Sequence, residues 1–140
     1  RLATSDPAIH AIGECAEHRG ICYGLVEPAL QQAAVLAGNL AGRPATYEGT
    51  VLATNLKVSG IPVFSAGDFE GGPGSEIVVW RDPALGTYAK LVLRGGGLAG
   101  ALLYGETGEG PWYLDLIRSG RPLGHLRDGL IFGRALAEAA

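Results

Sequence analysis

Apolar residues recur along this chain in two rhythms, and the change between them falls near residue 43. Before it, Ile9, Ala11 and Ile12 make a short apolar run that ends at Gly13, and a polar stretch follows over 14–24. Then comes "PALQQAAVLAGNLAG", in which Leu30, Ala33, Ala34, Ala37 and Leu40 fall at helical spacing and predict one apolar face. Glu27 and Pro28 mark the start of this helix, because proline is tolerated in a first turn, and Gly42 with Arg43-Pro44 closes it. The first part therefore reads as strand, loop and helix.

Beyond residue 43 the pattern shortens to that of strands. "TVLATNLKVSGIPVFSAGD" is rich in Val, Leu and Thr, with Gly60-Ile61-Pro62 as an internal break, so it predicts two short strands or one interrupted strand. "SEIVVWRD" and "TYAKLVLR" are two further strands joined by a turn over Asp82 to Gly86. Gly95-Gly96-Gly97 then reverses the chain into "LAGALLYGE". A short helix is expected from Pro111 to about Arg118, and a closing helix within "LRDGLIFGRALAEAA". The fold class is α+β: an antiparallel β-meander with flanking helices, preceded by the strand, loop and helix of residues 1–42. Residues 43–140 form the second, small α+β domain.

Composition narrows the functional classes. With 47% hydrophobic residues over 140 positions the chain can bury a core. Its 11 basic and 14 acidic residues are scattered and sum to a formal charge of -3, which gives no footprint for nucleic acid or an anionic membrane. Two cysteines suit a reducing compartment, and no apolar run reaches the roughly 20 residues of a bilayer span, so a cytoplasmic location is expected. The chain has no methionine and starts at Arg1 almost directly with a motif-like segment, which leads us to expect further sequence upstream.

Candidate chemistry concentrates in "AIGECAEH". His10, Cys15, His18 and Cys22 form an H-x4-C-x2-H-x3-C run that could ligate zinc, although the spacing matches no common zinc template. The same residues read more simply as a small packed cysteine with loop histidines. A Cys–His nucleophilic pair would need an orienting group and an oxyanion hole that nothing in the sequence locates. "RGGGLAG" lacks the GK[ST] ending of a phosphate loop and lies between strands. "SAGDF" repeats a Gly-acid pair at Gly67-Asp68, but Gly-rich sequence follows it, so it predicts a turn. Lys57, Ser65 and Asp68 read as structural or rim residues.

Gly13-Glu14 suggests a different site. A strand ending at Gly lets a ligand approach the backbone, and the carboxylate beside it can accept hydrogen bonds from hydroxyls. The helix that starts just after, over Leu25, Val26, Glu27 and Pro28, offers unpaired N–H groups and a positive dipole end to negative charge.

On these residues the segment "TSDPAIHAIGECAEH" resembles the second flavin-binding motif of the FAD-dependent pyridine nucleotide–disulfide oxidoreductases. Thr4 matches the motif's Thr, Ile9 to Ile12 its strand, and Gly13 its Gly; Glu14 stands where most of that superfamily has Asp, one methylene longer in reach. "GEC" followed by "AEHRG" and "YGLV" is similar to the large subunits of NAD(P)H-dependent nitrite reductases and to the related electron-transfer subunits of nitrate reductases. "LATNLKVSGIPVFSAGDF", "YAKLVLRGGGLAGALLYGE" and "LIRSGRPL" resemble the small C-terminal domain that follows the FAD domain in nitrite reductases and NADH–rubredoxin reductases.

The resemblance implies an FAD enzyme in which Gly13 and Glu14 hold the ribityl chain and Leu25, Val26 and Glu27 approach the flavin ring. It implies that residues 1–42 are the end of an FAD-binding domain. It also implies hydride transfer from NAD(P)H to FAD and onward electron delivery for nitrite reduction. Neither a G-x-G-x-x-G loop nor a four-cysteine set occurs in this sequence, so NAD(P)H, iron–sulfur and siroheme sites are expected outside it, and this chain alone is expected to be inactive and to hold FAD weakly. The implied partner is the remainder of the parent oxidoreductase. The other reading is a non-catalytic docking or oligomerisation module for an electron-carrier protein or a second copy, which exposed Trp80, Trp112 or Tyr113 would favour.

Overall fold

The computed structural model describes residues 2–139, so Ala140, the last residue of the expected closing helix, lies outside the described residues. The chain divides into two compact units, residues 1–50 and 51–140. No described helix is long and apolar enough to cross a membrane.

In the first unit the strand expected over Ile9–Ile12 does not form. Ile9 is 55% exposed, and His10 makes only an isolated antiparallel bridge with Ala3. The local chemistry explains this. The Thr4 hydroxyl donates to the Asp6 carbonyl (3.0 Å) and the Asp6 carboxylate accepts the Ala8 N–H (2.9 Å), so the "TSDPA" segment is tied into turns. Gly13–Cys15 then forms a single 3-10 turn.

The stretch expected to be a loop contains a small hairpin. Strand β1, Glu17–His18, pairs with β2, Ile21–Cys22, and Arg19 and Gly20 both adopt positive φ (53° and 81°) in its two-residue turn. Helix α1 runs over Val26–Leu40, as the periodicity predicts, but it turns a different face inward. Pro28 and Gln32 are its buried positions, while Leu30 and Leu40 are exposed. Residues beyond Gly42 fold back onto this unit. Arg19 pairs with Glu48 (2.6 Å), and the Thr50 hydroxyl lies 2.7 Å from Gln31 Oε1.

The second unit is built on five antiparallel strands: β3 (Ala53–Val58), β4 (Ile61–Gly67), β5 (Glu76–Asp82), β6 (Thr87–Arg94) and β7 (Gly97–Tyr104), in the spatial order β3-β4-β7-β6-β5. The interrupted apolar stretch is thus a hairpin, β3 with β4, and β5-β6-β7 are a consecutive meander. The hairpin joins the meander through β7 rather than β5, because the chain leaves β4 across the face of β7, with Asp68 N–H donating to the Ala99 carbonyl at 2.9 Å. The turn over Asp82 to Gly86 forms as read, its Asp82 carboxylate accepting N–H groups of Ala84 (2.9 Å) and Leu85 (3.1 Å).

Helix α2, Gly110–Ser119, packs on β7 and β4 and sets Tyr113 and Leu116 into a core with Phe64, Leu91, Ala101 and Leu103. The Tyr113 hydroxyl donates to the Leu130 carbonyl at 2.7 Å, and burial pushes its pKa well above the usual phenol value. The closing helix is broken into α3 (Leu126–Gly129), a 3-10 turn over Leu130–Phe132, and α4 (Arg134–Ala139). Gly133, at φ +94°, turns the chain, and α4 folds back until Ala137 lies so close to Gly129 that a Cβ there would be 2.7 Å from Ala137 Cα.

Asp68 holds the exit from β4. Its carboxylate accepts from Arg94 (2.6 Å) and from Gly71 N–H (3.0 Å), and these bonds, the arginine's first, lower its pKa below the ordinary value of 3.8. A carboxyl depressed in the folded state contributes stability above its unfolded pKa and loses it as pH falls through the folded pKa. The second unit is therefore expected to lose part of its urea resistance between about pH 5 and pH 2, and D68N is expected to flatten that portion of the acid dependence. Both tryptophans, Trp80 and Trp112, lie in this unit, so their emission monitors it selectively.

Candidate functional site

The residues singled out around Gly13 come together at one end of α1. Gly13 sits at φ +77°, a backbone region that favours glycine. Its absent side chain faces Ala29 in the first turns of the helix, where a Cβ would lie 3.7 Å from Ala29 Cβ. Its N–H donates to Gln32 Oε1 at 2.6 Å. Glu14, exposed on the 3-10 turn, directs its carboxylate toward Gly24, where a Cβ would meet Glu14 Oε1 at 3.5 Å. The Gly-acid pair and the residue before the helix are thus neighbours in space, although ten positions separate Glu14 from Gly24 in the sequence.

The N-cap position of α1 supplies no side-chain cap. Leu25 occupies it in an extended conformation (φ -123°, ψ 155°) with no side-chain hydrogen bond to the first-turn amides, and Val26 is exposed. Glu27 lies in the first turn and accepts from Gln31 Nε2 at 3.2 Å. The first-turn N–H groups at such an end have no intrahelical acceptor, and their partial positive charge favours an anionic or carbonyl oxygen. The site can therefore accept hydroxyl hydrogens at Glu14 and donate amide hydrogens at Val26, Glu27 and Ala29, Pro28 having none to give.

Gln32 is the residue the sequence reading missed. Its side chain is fully buried, its Oε1 bonds Gly13, and its Nε2 has no hydrogen-bond partner among the described residues. A polar residue one helical turn beyond Pro28, on the face the structure buries, was the available signal.

The zinc reading finds no support in the geometry: among the described residues no three His, Cys, Asp or Glu side chains are placed to hold a metal ion. Cys15 and Cys22 are free and exposed, so Cys15 is not the packed residue expected. His18 lies in β1 rather than in a loop, edge-on to Tyr47 with ring centres 4.9 Å apart, its buried Nε2 without a hydrogen-bond partner among the described residues. Of the three aromatics named for a docking role, Trp80 is 45% exposed, Trp112 is half-buried and Tyr113 is buried.

The architecture of the chain is that of the pyridine nucleotide–disulfide oxidoreductases. A pyridine nucleotide-disulfide family oxidoreductase from Enterococcus faecalis V583 matches 89% of this chain and 34% of its own length, with TM-score 0.65 and 27% identity. NADH:rubredoxin oxidoreductase from Clostridium acetobutylicum matches 87% of this chain and 32% of its own, with TM-score 0.66 and 28% identity.

Within that class, residues 53–121 match the Rubredoxin NAD+ reductase C-terminal domain, and they belong to that family. Nitrite reductase [NAD(P)H] from Bacillus subtilis (strain 168) is 48% identical over 118 residues, which cover 84% of this chain. They cover 15% of that relative, so the chain spans less than a sixth of its length.

Proposed function

We propose that this chain serves as part of a flavin-dependent NAD(P)H oxidoreductase of nitrite reductase type, with its first unit contributing one side of the FAD pocket. The observation that carries the reading is the juxtaposition of the Gly13-Glu14 turn with the N-terminus of α1, both within residues 1–50. The 48% identity to a nitrite reductase supports it. Residues 1–42 would be the end of the FAD-binding domain and residues 43–140 the small C-terminal domain.

The residues present fit the group. Gly13, lacking a side chain, leaves its backbone approachable, and Glu14 would accept hydrogen bonds from ribityl hydroxyls. Leu25, Val26 and Glu27 would bring the helix N-terminus to the flavin ring, where their amides favour negative charge. Gln32 holds the turn and the helix together through its bond to Gly13. When bound, FAD supplies a two-electron acceptor for hydride from NAD(P)H and passes electrons on toward nitrite reduction. The NAD(P)H, iron–sulfur and siroheme sites would belong to the remainder of the parent enzyme.

The chain by itself contains no glycine-rich pyrophosphate loop, which supplies much of the grip on a dinucleotide. Titrating FAD into the isolated chain is therefore expected to give weak, non-saturating fluorescence quenching. Tight saturable binding would contradict the division of the grip between this chain and another domain. A second reading, a docking surface for a partner protein, is favoured by the exposure of Trp80 on the second unit.

A further inference from the structure

A cavity of about 410 Å³ opens in the second unit between the β5–β6 turn and the C-terminal helices. Tyr113 and Leu103 form its floor, both almost fully buried. Trp80, Leu85, Phe132 and Leu136 line it as well, and all four are exposed. Trp80 and Phe132 stand edge to face with ring centres 5.4 Å apart, so the mouth is aromatic and of defined shape. So many exposed large apolar side chains around one opening are what a fully desolvated anchor pocket presents before its partner arrives.

The charged lining is of one sign. Among the described residues Glu106 and Glu109 line the cavity and no lysine or arginine side chain does. Each carboxylate has one oxygen engaged by a backbone amide: Glu106 Oε1 by Gly108 N–H (2.8 Å) and Glu109 Oε2 by Arg134 N–H (2.9 Å). The Arg134 guanidinium is paired with Glu138 at 2.8 Å. The second oxygen of each glutamate has no hydrogen bond among the described residues, and the bonds to Gly108 and Arg134 N–H fix the carboxylates in place.

From this combination we infer that the cavity is a docking pocket for a segment of a partner protein that inserts one large apolar side chain flanked by lysine or arginine. Charge complementarity selects the occupant: an anionic segment or an anionic lipid surface would meet two like charges in the lining, and Arg134, which lies near Glu109, is already paired with Glu138. The inference rests on the docking reading of the second unit and is independent of the flavin site.

The test is an NMR titration of the whole chain, following the Trp80 indole N–H, with acetyl-Gly-Lys-Phe-Lys-Gly-amide and with the same peptide carrying Glu in place of Lys. The basic peptide is expected to saturate and to bind about fivefold tighter or more than the acidic one, as two exposed rim charges would give. Glu106→Gln with Glu109→Gln keeps both amide acceptors and is expected to erase that preference. Phe132→Ala, or Leu85→Ser at the rim if the first disturbs Trp emission, is expected to weaken both peptides. No saturable shift at Trp80, or a preference unchanged in the double variant, overturns the proposal. So does free phenethylammonium binding tighter than the basic peptide, which would make the occupant a small amine.

Discussion

Replacing Gly100 by alanine is expected to be among the most damaging single substitutions in the second unit. Gly100 lies in β7, paired with Gly67 on one side and Val92 on the other. The chain leaving β4 crosses directly over it. A Cβ at Gly100 would collide with the Asp68 carbonyl and come within 2.5 Å of Phe69 N. These are backbone atoms held by the Asp68 N–H bond to Ala99 O and by the Asp68–Arg94 pair, so they cannot move aside as a flexible side chain could. Relief requires β4 and β7 to separate, which disturbs the core at Ala101 and Leu103. The expected loss is about 3 kcal/mol or more, at the upper end of overpacking effects. Urea unfolding monitored by tryptophan emission checks it. Gly72→Ala is the control, because nothing lies within 4 Å of a Cβ there. It is expected to change stability by less than about 0.5 kcal/mol.

The second large effect concerns ligand rather than fold. In the full oxidoreductase of which this chain is proposed to be part, Glu14→Ala is expected to weaken FAD binding by about tenfold or more, corresponding to loss of one or two hydrogen bonds to a charged acceptor. Glu14 is exposed, with no tertiary hydrogen bond among the described residues, so its removal should leave folding intact. Glu14→Gln keeps an acceptor oxygen and is expected to fall between the two, and Glu14→Asp reports on the methylene of extra reach. Fluorescence titration of the apoenzyme with FAD gives the affinities, and an unchanged affinity in Glu14→Ala would remove this residue from the pocket.

How legible the molecule was depends on where neighbours come from. The second unit could be read strand by strand because its partners are adjacent in sequence. Asp82 to Gly86 and Gly95-Gly96 close hairpins locally, and the latter pair adopts φ 58° and 80° as such a turn requires. The pairing of β4 with β7 was not legible, since it depends on a crossing over Gly100 that no local pattern announces.

The first unit shows the opposite case. A strand at Ile9–Ile12 needs a longer neighbour than it has: the short stretch 2–4 beside it gives only one isolated bridge, Ala3 with His10, flanked by the bonds of Thr4 N–H to Ile9 O and Ala11 N–H to Leu2 O. The inward face of α1 was misread because alanines and leucines outnumber the polar residues on the expected face. The face that is buried instead carries Pro28 and Gln32, the latter accepting the Gly13 N–H. The closing helix failed at Gly133 for a similar reason, its positive φ serving the fold-back of α4 onto Gly129. Gly13, Glu14 and the helix start stand out in the sequence by residue type, and the structure brings Glu14 beside Gly24 just before that helix; their role in binding flavin is a proposal.

The most direct measurement of the proposed role is amide hydrogen exchange on the full-length oxidoreductase with and without FAD. FAD is expected to slow exchange in peptides covering Gly13–Glu14 and Leu25–Ala29, leaving β7 at Gly97–Tyr104 unchanged. Exchange at Gly13–Glu14 and Leu25–Ala29 that is the same with and without FAD, while other parts of the enzyme become protected, would contradict a flavin grip in this chain.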